Sequence, residues 1–221
     1  MRKLLGSFLL GTLSLTASAQ TLGVDPALSG FPSSFHWRNV PAAWKIQDGI
    51  LTIQPAGKTD WFSEPAGEMR MNSTPRMLAP APKEFWFSAK VTVDFKTLFD
   101  EGSLVVFADD DNWVKFSLKS LNNKTGLIDA VVTRGLSDDN TGAIIEGNSV
   151  YLKVSKSGPG IFLFYSTDGK DWKISRAFNL GPEKPLYIGF CSQSPIGNGT
   201  AATFSEIRYQ ARALKPWSAN E

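Results

Sequence analysis

The chain has 221 residues, with 23 Lys and Arg against 21 Asp and Glu, one His (His36) and one Cys (Cys191). A single histidine excludes histidine-rich metal sites, and a single cysteine leaves no internal disulfide. Arg2 and Lys3 lie in an N-terminal segment without acids, so removing them from the 23 leaves 21 basic against 21 acidic residues; a neutral chain without a basic cluster lacks the electrostatic footprint of nucleic-acid binding.

The chain opens with "MRKLLGSFLLGTLSLTASAQ", two cations, a short apolar run and the small-x-small pattern of Ala17, Ser18 and Ala19. This predicts a signal peptide over residues 1–19 and a secreted or periplasmic protein, with no membrane span after cleavage. No Cys follows the apolar run, which argues against a lipid anchor. Residues 20–221 are long enough for one domain with a sizeable core, and no long linker divides them.

From there, period-two alternation dominates and helical periodicity is nearly absent. "WKIQDGILTI" reads as a hairpin turning at Asp48 and Gly49. "GKTDWFSEP", residues 57–65, follows a strand and sets Asp60 beside Trp61 and Phe62. "MNSTPRMLAPAPK", residues 71–83, reads as an irregular, proline-bearing surface loop crossing from one sheet to the other. "EFWFSAKVTVDFK" places Phe85, Phe87, Ala89, Val91, Val93 and Phe95 on one face, with Trp86, Ser88, Lys90, Thr92 and Asp94 on the other. "DDDN", residues 109–112, reads as an acidic hairpin turn, since it lacks the spacing, Gly and distal Glu of an EF-hand loop. "WVKFSLK" sends Val114, Phe116 and Leu118 inward and Trp113, Lys115, Ser117 and Lys119 outward. "VYLKVSK" and "GIFLFYS" flank the turn "SGPG", and "YSTDGKDWKISRAF" turns at Asp168 and Gly169. "LYIGFCSQSP" is a strand in which Cys191 packs as a small apolar residue. Ten to twelve short strands predict an all-β antiparallel sandwich.

Several of these pieces, with "DEGSLVVFADDDNWVK", "AVVTRGLSD" and "GFCSQSPIGNGTAATFSEI", stand in an order that resembles the domain of unknown function 1349 family, whose eukaryotic relatives include the yeast regulator of enolase. The likeness spans nearly all of residues 35–209. It implies a concanavalin A-like jelly roll, a superfamily in which the concave sheet commonly binds or cleaves carbohydrate. Four positions depart from the family's pattern: Phe116 and Ser117 stand where relatives often carry a small-Gly pair, Lys119 where they often carry an acid, and Asp139 where a Trp often follows "SD".

On this reading the expected function is that of an exported, lectin-like carbohydrate-binding protein. Asp60 and Trp61 suit a sugar, the indole stacking on C–H faces while the carboxylate accepts hydroxyl hydrogen bonds; the plainer alternative is that Asp60 caps backbone N–H groups and Trp61 fills the sandwich edge. Trp113 with Lys115, and Trp86 with Lys90 and Asp94, each put an aromatic and charges on an outward face, where a large aromatic needs a partner or ligand. Arg176, Gln193 and Ser194 are further candidate ligand contacts, with bracing of strand ends as their alternative role. A hydrolase or lyase on the same fold, and a protein-interaction module, are the other readings. A hydrolase needs two carboxylates flanking the bond, and Asp60, Glu64, Asp94 and Glu146 are available without any spacing that pairs them. No motif calls for a cofactor; a structural calcium is compatible with the fold.

Overall fold

A computed structural model describes residues 27–31, 34–181 and 183–219; the predicted signal peptide, residues 1–19, lies outside the described residues. Fourteen of the strands form two seven-stranded sheets. The first runs β1 (His36–Arg38), β6 (Arg76–Pro80), β15 (Tyr187–Gln193), β8 (Glu101–Asp109), β9 (Asn112–Ser120), β10 (Thr125–Arg134), β11 (Leu136–Glu146). The second runs β14 (Lys173–Asn179), β13 (Gly160–Ser166), β12 (Ser149–Ser157), β7 (Phe85–Val93), β16 (Ala202–Gln210), β3 (Ile50–Gln54), β2 (Ala43–Gln47). A separate two-stranded ribbon pairs β4 (Trp61–Ser63) with β5 (Arg70–Asn72). Pairing within each sheet is antiparallel throughout, and the two sheets form a sandwich of the expected class.

The core follows from alternation. Phe85, Phe87, Ala89, Val91 and Val93 of β7 meet Leu104 and Val106 of β8, Val114, Phe116 and Leu118 of β9, and Ile188 and Phe190 of β15, all essentially without solvent contact. Such burial, at about 25 cal/mol per Å² of apolar surface, is the dominant stabilising term.

The hairpins fall where the turn chemistry puts them. Asp48 and Gly49 have φ of 52° and 76° between the paired residues Gln47 and Ile50, the left-handed pair of a tight two-residue turn. No atom lies within 4 Å of a Cβ built on Gly49, so the cost of Gly49→Ala is conformational alone. It should lower unfolding free energy by about 1 kcal/mol, read as a shift of the urea midpoint with unchanged slope; no shift would mean that the turn relaxes to another type.

Three expectations need correction. The described residues hold sixteen strands, three of them only three residues long, rather than ten to twelve. Residues 71–83 are not a loop between sheets: they hold the end of β5 and all of β6, a strand inside the first sheet. Pro75 stands just before β6 and Pro80 closes it, positions where a missing N–H breaks little of the ladder. Trp86 and Trp113 lie on different sheets, through β7 and β9, so they form no common surface.

Candidate functional site

The face of the first sheet turned away from the core carries the polar chemistry. Register sets Phe107, Val105, Ser103 and Glu101 of β8 beside Trp113, Lys115, Ser117 and Lys119 of β9. The neighbouring strands add Arg76 and Leu78 from β6, Cys191 and Gln193 from β15, and Asp129 and Val131 from β10. The β4–β5 ribbon lies over this face. Trp61 stacks on Trp113 with ring centroids 4.0 Å apart at 25°, and Leu78, Val105, Phe107, Val131 and Cys191 complete an apolar cluster around them. Beneath the ribbon Trp113 exposes 0% of its surface.

A hydrogen-bonded chain crosses beside this stack. Lys115 Nζ is 2.8 Å from Glu101 Oε1 and donates to Gln193 Oε1 at 3.0 Å. The same oxygen accepts from Thr74 Oγ1 at 2.8 Å and from the Trp61 backbone N–H at 3.1 Å. Gln193 Nε2 donates to Asp60 Oδ1 at 2.9 Å, and Trp61 N–H also reaches that oxygen at 2.7 Å. Burial opposes the Lys115 ammonium, but the carboxylates of Glu101 and Asp60 outweigh it and hold its pKa above the ordinary lysine value. Nearby, Lys119 Nζ sits 2.7 Å from Asp129 Oδ2, a close ion pair. Burial pushes the Asp129 carboxyl above the usual range, with Lys119 pulling the other way. The Cys191 thiol, pushed up to about 12 by burial, stays neutral.

Of the residues singled out from the sequence, the structure gathers Asp60, Trp61, Trp113, Lys115 and Gln193 into this one cluster. Ser194 is adjacent but serves a loop: its Oγ donates to Asp100 Oδ1 at 2.6 Å, and its N–H donates to Thr59 Oγ1 at 3.1 Å. Arg176 lies apart on β14, where it donates to the Ala130 carbonyl at 3.0 Å and to Asp138 Oδ2 at 2.6 Å, tying the second sheet to the first. Asp60 does cap a backbone N–H, as its plainer role requires, while also holding Gln193.

Two of the departures from the family's pattern meet in space, with Lys119 Nζ 3.6 Å from Asp139 Oδ2. Arg76, Glu101 and Thr74 were not singled out. Glu101 sits in phase with Ser103, Val105 and Phe107, an alternation that marks it as facing the ribbon; Arg76 and Thr74 fell in the segment read as a loop.

The outer face of the second sheet holds a different feature, a cavity of about 290 Å³ lined in part by Tyr151, Lys153, Asp168, Trp172, Glu206 and Arg208. Lys153 Nζ lies 4.2 Å from the Trp172 ring centroid and 5.1 Å from that of Trp86, so these indoles partner a cation here. Asp168 caps its turn by accepting from the backbone N–H groups of Lys170 and Asp171, each at 2.8 Å, which with Ser166 draws its pKa down to about 2. Among the described residues no three or more His, Cys, Asp or Glu gather closely enough to hold a metal ion.

The family model described as "Protein of unknown function (DUF1349)" matches residues 37–212. The chain is 24% identical over 172 residues to "Regulation of enolase protein 1" of Saccharomyces cerevisiae, covering 77% of this chain and 86% of that protein. A crystal structure of a functionally unknown protein from Saccharomyces cerevisiae superposes with a TM-score of 0.75 at 22% identity, covering 81% of this chain and 97% of the other. The GH43 protein BlXynB from Bacillus licheniformis has a TM-score of 0.59 at 18% identity, covering 77% of this chain but only 35% of the longer one. At these identities the structural likeness shows the fold alone.

Proposed function

On the footing that this chain belongs to the DUF1349 family, we propose that it is an exported, non-catalytic carbohydrate-binding sandwich that takes its glycan on the outer face of the first sheet, against the β4–β5 ribbon. The observation that carries this reading is unspent hydrogen-bonding capacity around a stacked indole pair. Asp60 uses Oδ1 for Gln193 and for a backbone N–H, and among the described residues no hydrogen bond reaches its Oδ2. Arg76, 4.2 Å over the Trp61 ring, donates none of its own N–H groups. An acceptor and a set of donors beside an indole pair match the alternating hydroxyls and C–H surfaces of a sugar ring; since Trp61, Trp113 and Arg76 are buried, the β4–β5 ribbon must move for a sugar to reach them.

The carboxylates favour binding over cleavage. A glycosidase needs one group free to give a proton and another free to attack or activate water. Here Glu101 is held by Lys115, and Asp129, beside Lys119, has no solvent exposure, which leaves Asp60 without a second free carboxylate from either of them. That the sandwich accounts for 35% of the GH43 chain fits an accessory role for such a module within a longer enzyme.

A glycan-array screen of residues 20–221, with calcium and with chelator, tests the reading. Binding to a defined glycan class, with no cleavage product after long incubation, is the expected result, and a difference between the two conditions would reveal a structural calcium. A blank array in both conditions would overturn the carbohydrate reading in favour of a protein-interaction module.

A further inference from the structure

On the ribbon-covered face each buried charge but one has a counterpart. Lys115 has Glu101, Lys119 has Asp129, and the half-buried Asp60 has Gln193. Arg76 has only the Trp61 ring, 4.2 Å away: its relative exposure is 0%, and among the described residues Nε, Nη1 and Nη2 all lack an acceptor. Its cross-strand neighbour is Cys191, whose thiol is neutral at ordinary pH. The Asp110 carboxylate is already held by Arg38, which reaches both of its oxygens at 2.8 and 2.6 Å. A buried guanidinium with every donor idle is among the costlier arrangements a folded chain holds, and native proteins satisfy such groups nearly always. Burial draws the Arg76 pKa down to about 10, so the group still carries its charge at neutral pH.

We infer that Arg76 is the anion-recognition residue of this site, and that the glycan it takes bears a carboxylate, as in a uronic acid; this rests on the carbohydrate reading above and narrows it. The planar guanidinium fork presents two parallel N–H donors to two carboxylate oxygens, a fit that a neutral hydroxyl does not offer. Once the β4–β5 ribbon lifts, the Trp61 face now stacked on Trp113 is free for the ring, and Asp60 Oδ2 accepts from a hydroxyl of the same sugar. Entry requires the β4–β5 ribbon to lift. The ribbon is held to the sheet by the stack on Trp113 and by bonds from the Trp61 and Ser63 N–H groups to Gln193 Oε1 and Ser137 Oγ, and two strands alone are marginally stable.

The test compares an oligouronate with the same oligosaccharide after reduction of its carboxyl groups, by calorimetry on the wild type and on Arg76→Met. The wild type should bind the acid roughly ten- to a hundredfold more tightly than the reduced form, the range of a charge-assisted pair. Arg76→Met should erase that preference while its thermal midpoint stays equal or rises, since an apolar chain of similar length replaces idle donors. Should Arg76→Met fail to fold, Arg76→Gln carries the same test, because it removes the charge and the fork while keeping a polar group, and the preference should fall by a similar factor. Equal affinity of the wild type for both forms overturns the inference and leaves the carbohydrate reading standing. So does a preference that survives in the variant, or tighter binding of a sulfated oligosaccharide. If neither form binds, array hits on neutral glycans still separate loss of this inference from loss of the broader reading.

Discussion

Lys115→Ala should lower the thermal midpoint by roughly 6–20 °C. Removing one partner of a buried ion pair strands the other, at a cost of about 3–5 kcal/mol, and each kcal/mol moves the midpoint of a domain this size by about 2–4 °C. The partner is Glu101, 1% exposed and 2.8 Å away. Among the described residues the one other side-chain donor to its carboxylate is Ser103 Oγ, at 3.3 Å. Gln193 loses a donor as well, and with it part of the chain that leads to Asp60 and the ribbon. Replacing both charges, as Lys115→Met with Glu101→Leu, should recover most of the loss, because the desolvation penalty leaves together with the attraction. Calorimetric melts of the two single variants and the double variant decide the matter. A loss below about 1 kcal/mol for Lys115→Ala would place the pair in contact with water, where such pairs contribute little.

Trp113→Ala should cost about 3–5 kcal/mol, the range for emptying a buried aromatic site, and should loosen the ribbon above it. Trp113 has no solvent exposure and carries Trp61 on its face, and such a stack adds about 0.5–1.5 kcal/mol beyond area burial. Trp61 in turn lies 6.1 Å from Phe107 and beneath the Arg76 guanidinium, so truncation below removes the floor of the whole cluster. Two readouts separate the consequences: the denaturant midpoint reports the lost packing, and limited proteolysis between Trp61 and Asn72 reports release of the ribbon. A midpoint within about 0.5 kcal/mol of wild type would mean that Trp113 faces solvent or ligand rather than the ribbon. The outward position of Trp113 in its strand is therefore compatible with burial, since a second layer covers that face.

Much of the fold was legible locally. The alternation of β7 and β9 assigned core and outer residues that the structure reproduces, and the pairs Asp48–Gly49 and Asp168–Gly169 marked real turns. The segment at 71–83 was misjudged because prolines punctuate its strands at their ends. That error hid Arg76, whose phase with Leu78 faces the ribbon. At the site, the adjacency of Asp60 and Trp61 and the pairing of Trp113 with Lys115 along one strand could be read directly. The bond from Gln193 to Asp60 spans 133 residues, and no local pattern announces it.

By itself, then, the sequence determined the predominance of strands, the sandwich class, the family and the side that the residues of β7 and β9 take, because period-two alternation and turn chemistry act over a few residues. Tertiary structure alone decided that Trp86 and Trp113 belong to opposite sheets, that Arg176 ties the sheets together away from the cluster, and that a two-stranded ribbon roofs the charged face. The physical reason is that alternation states which side a residue faces without stating what covers that side. Covering is settled by strand order and by contacts between distant segments, and it brings Asp60, Trp61, Trp113, Lys115 and Gln193 into one enclosed cluster with a buried arginine over the Trp61 ring.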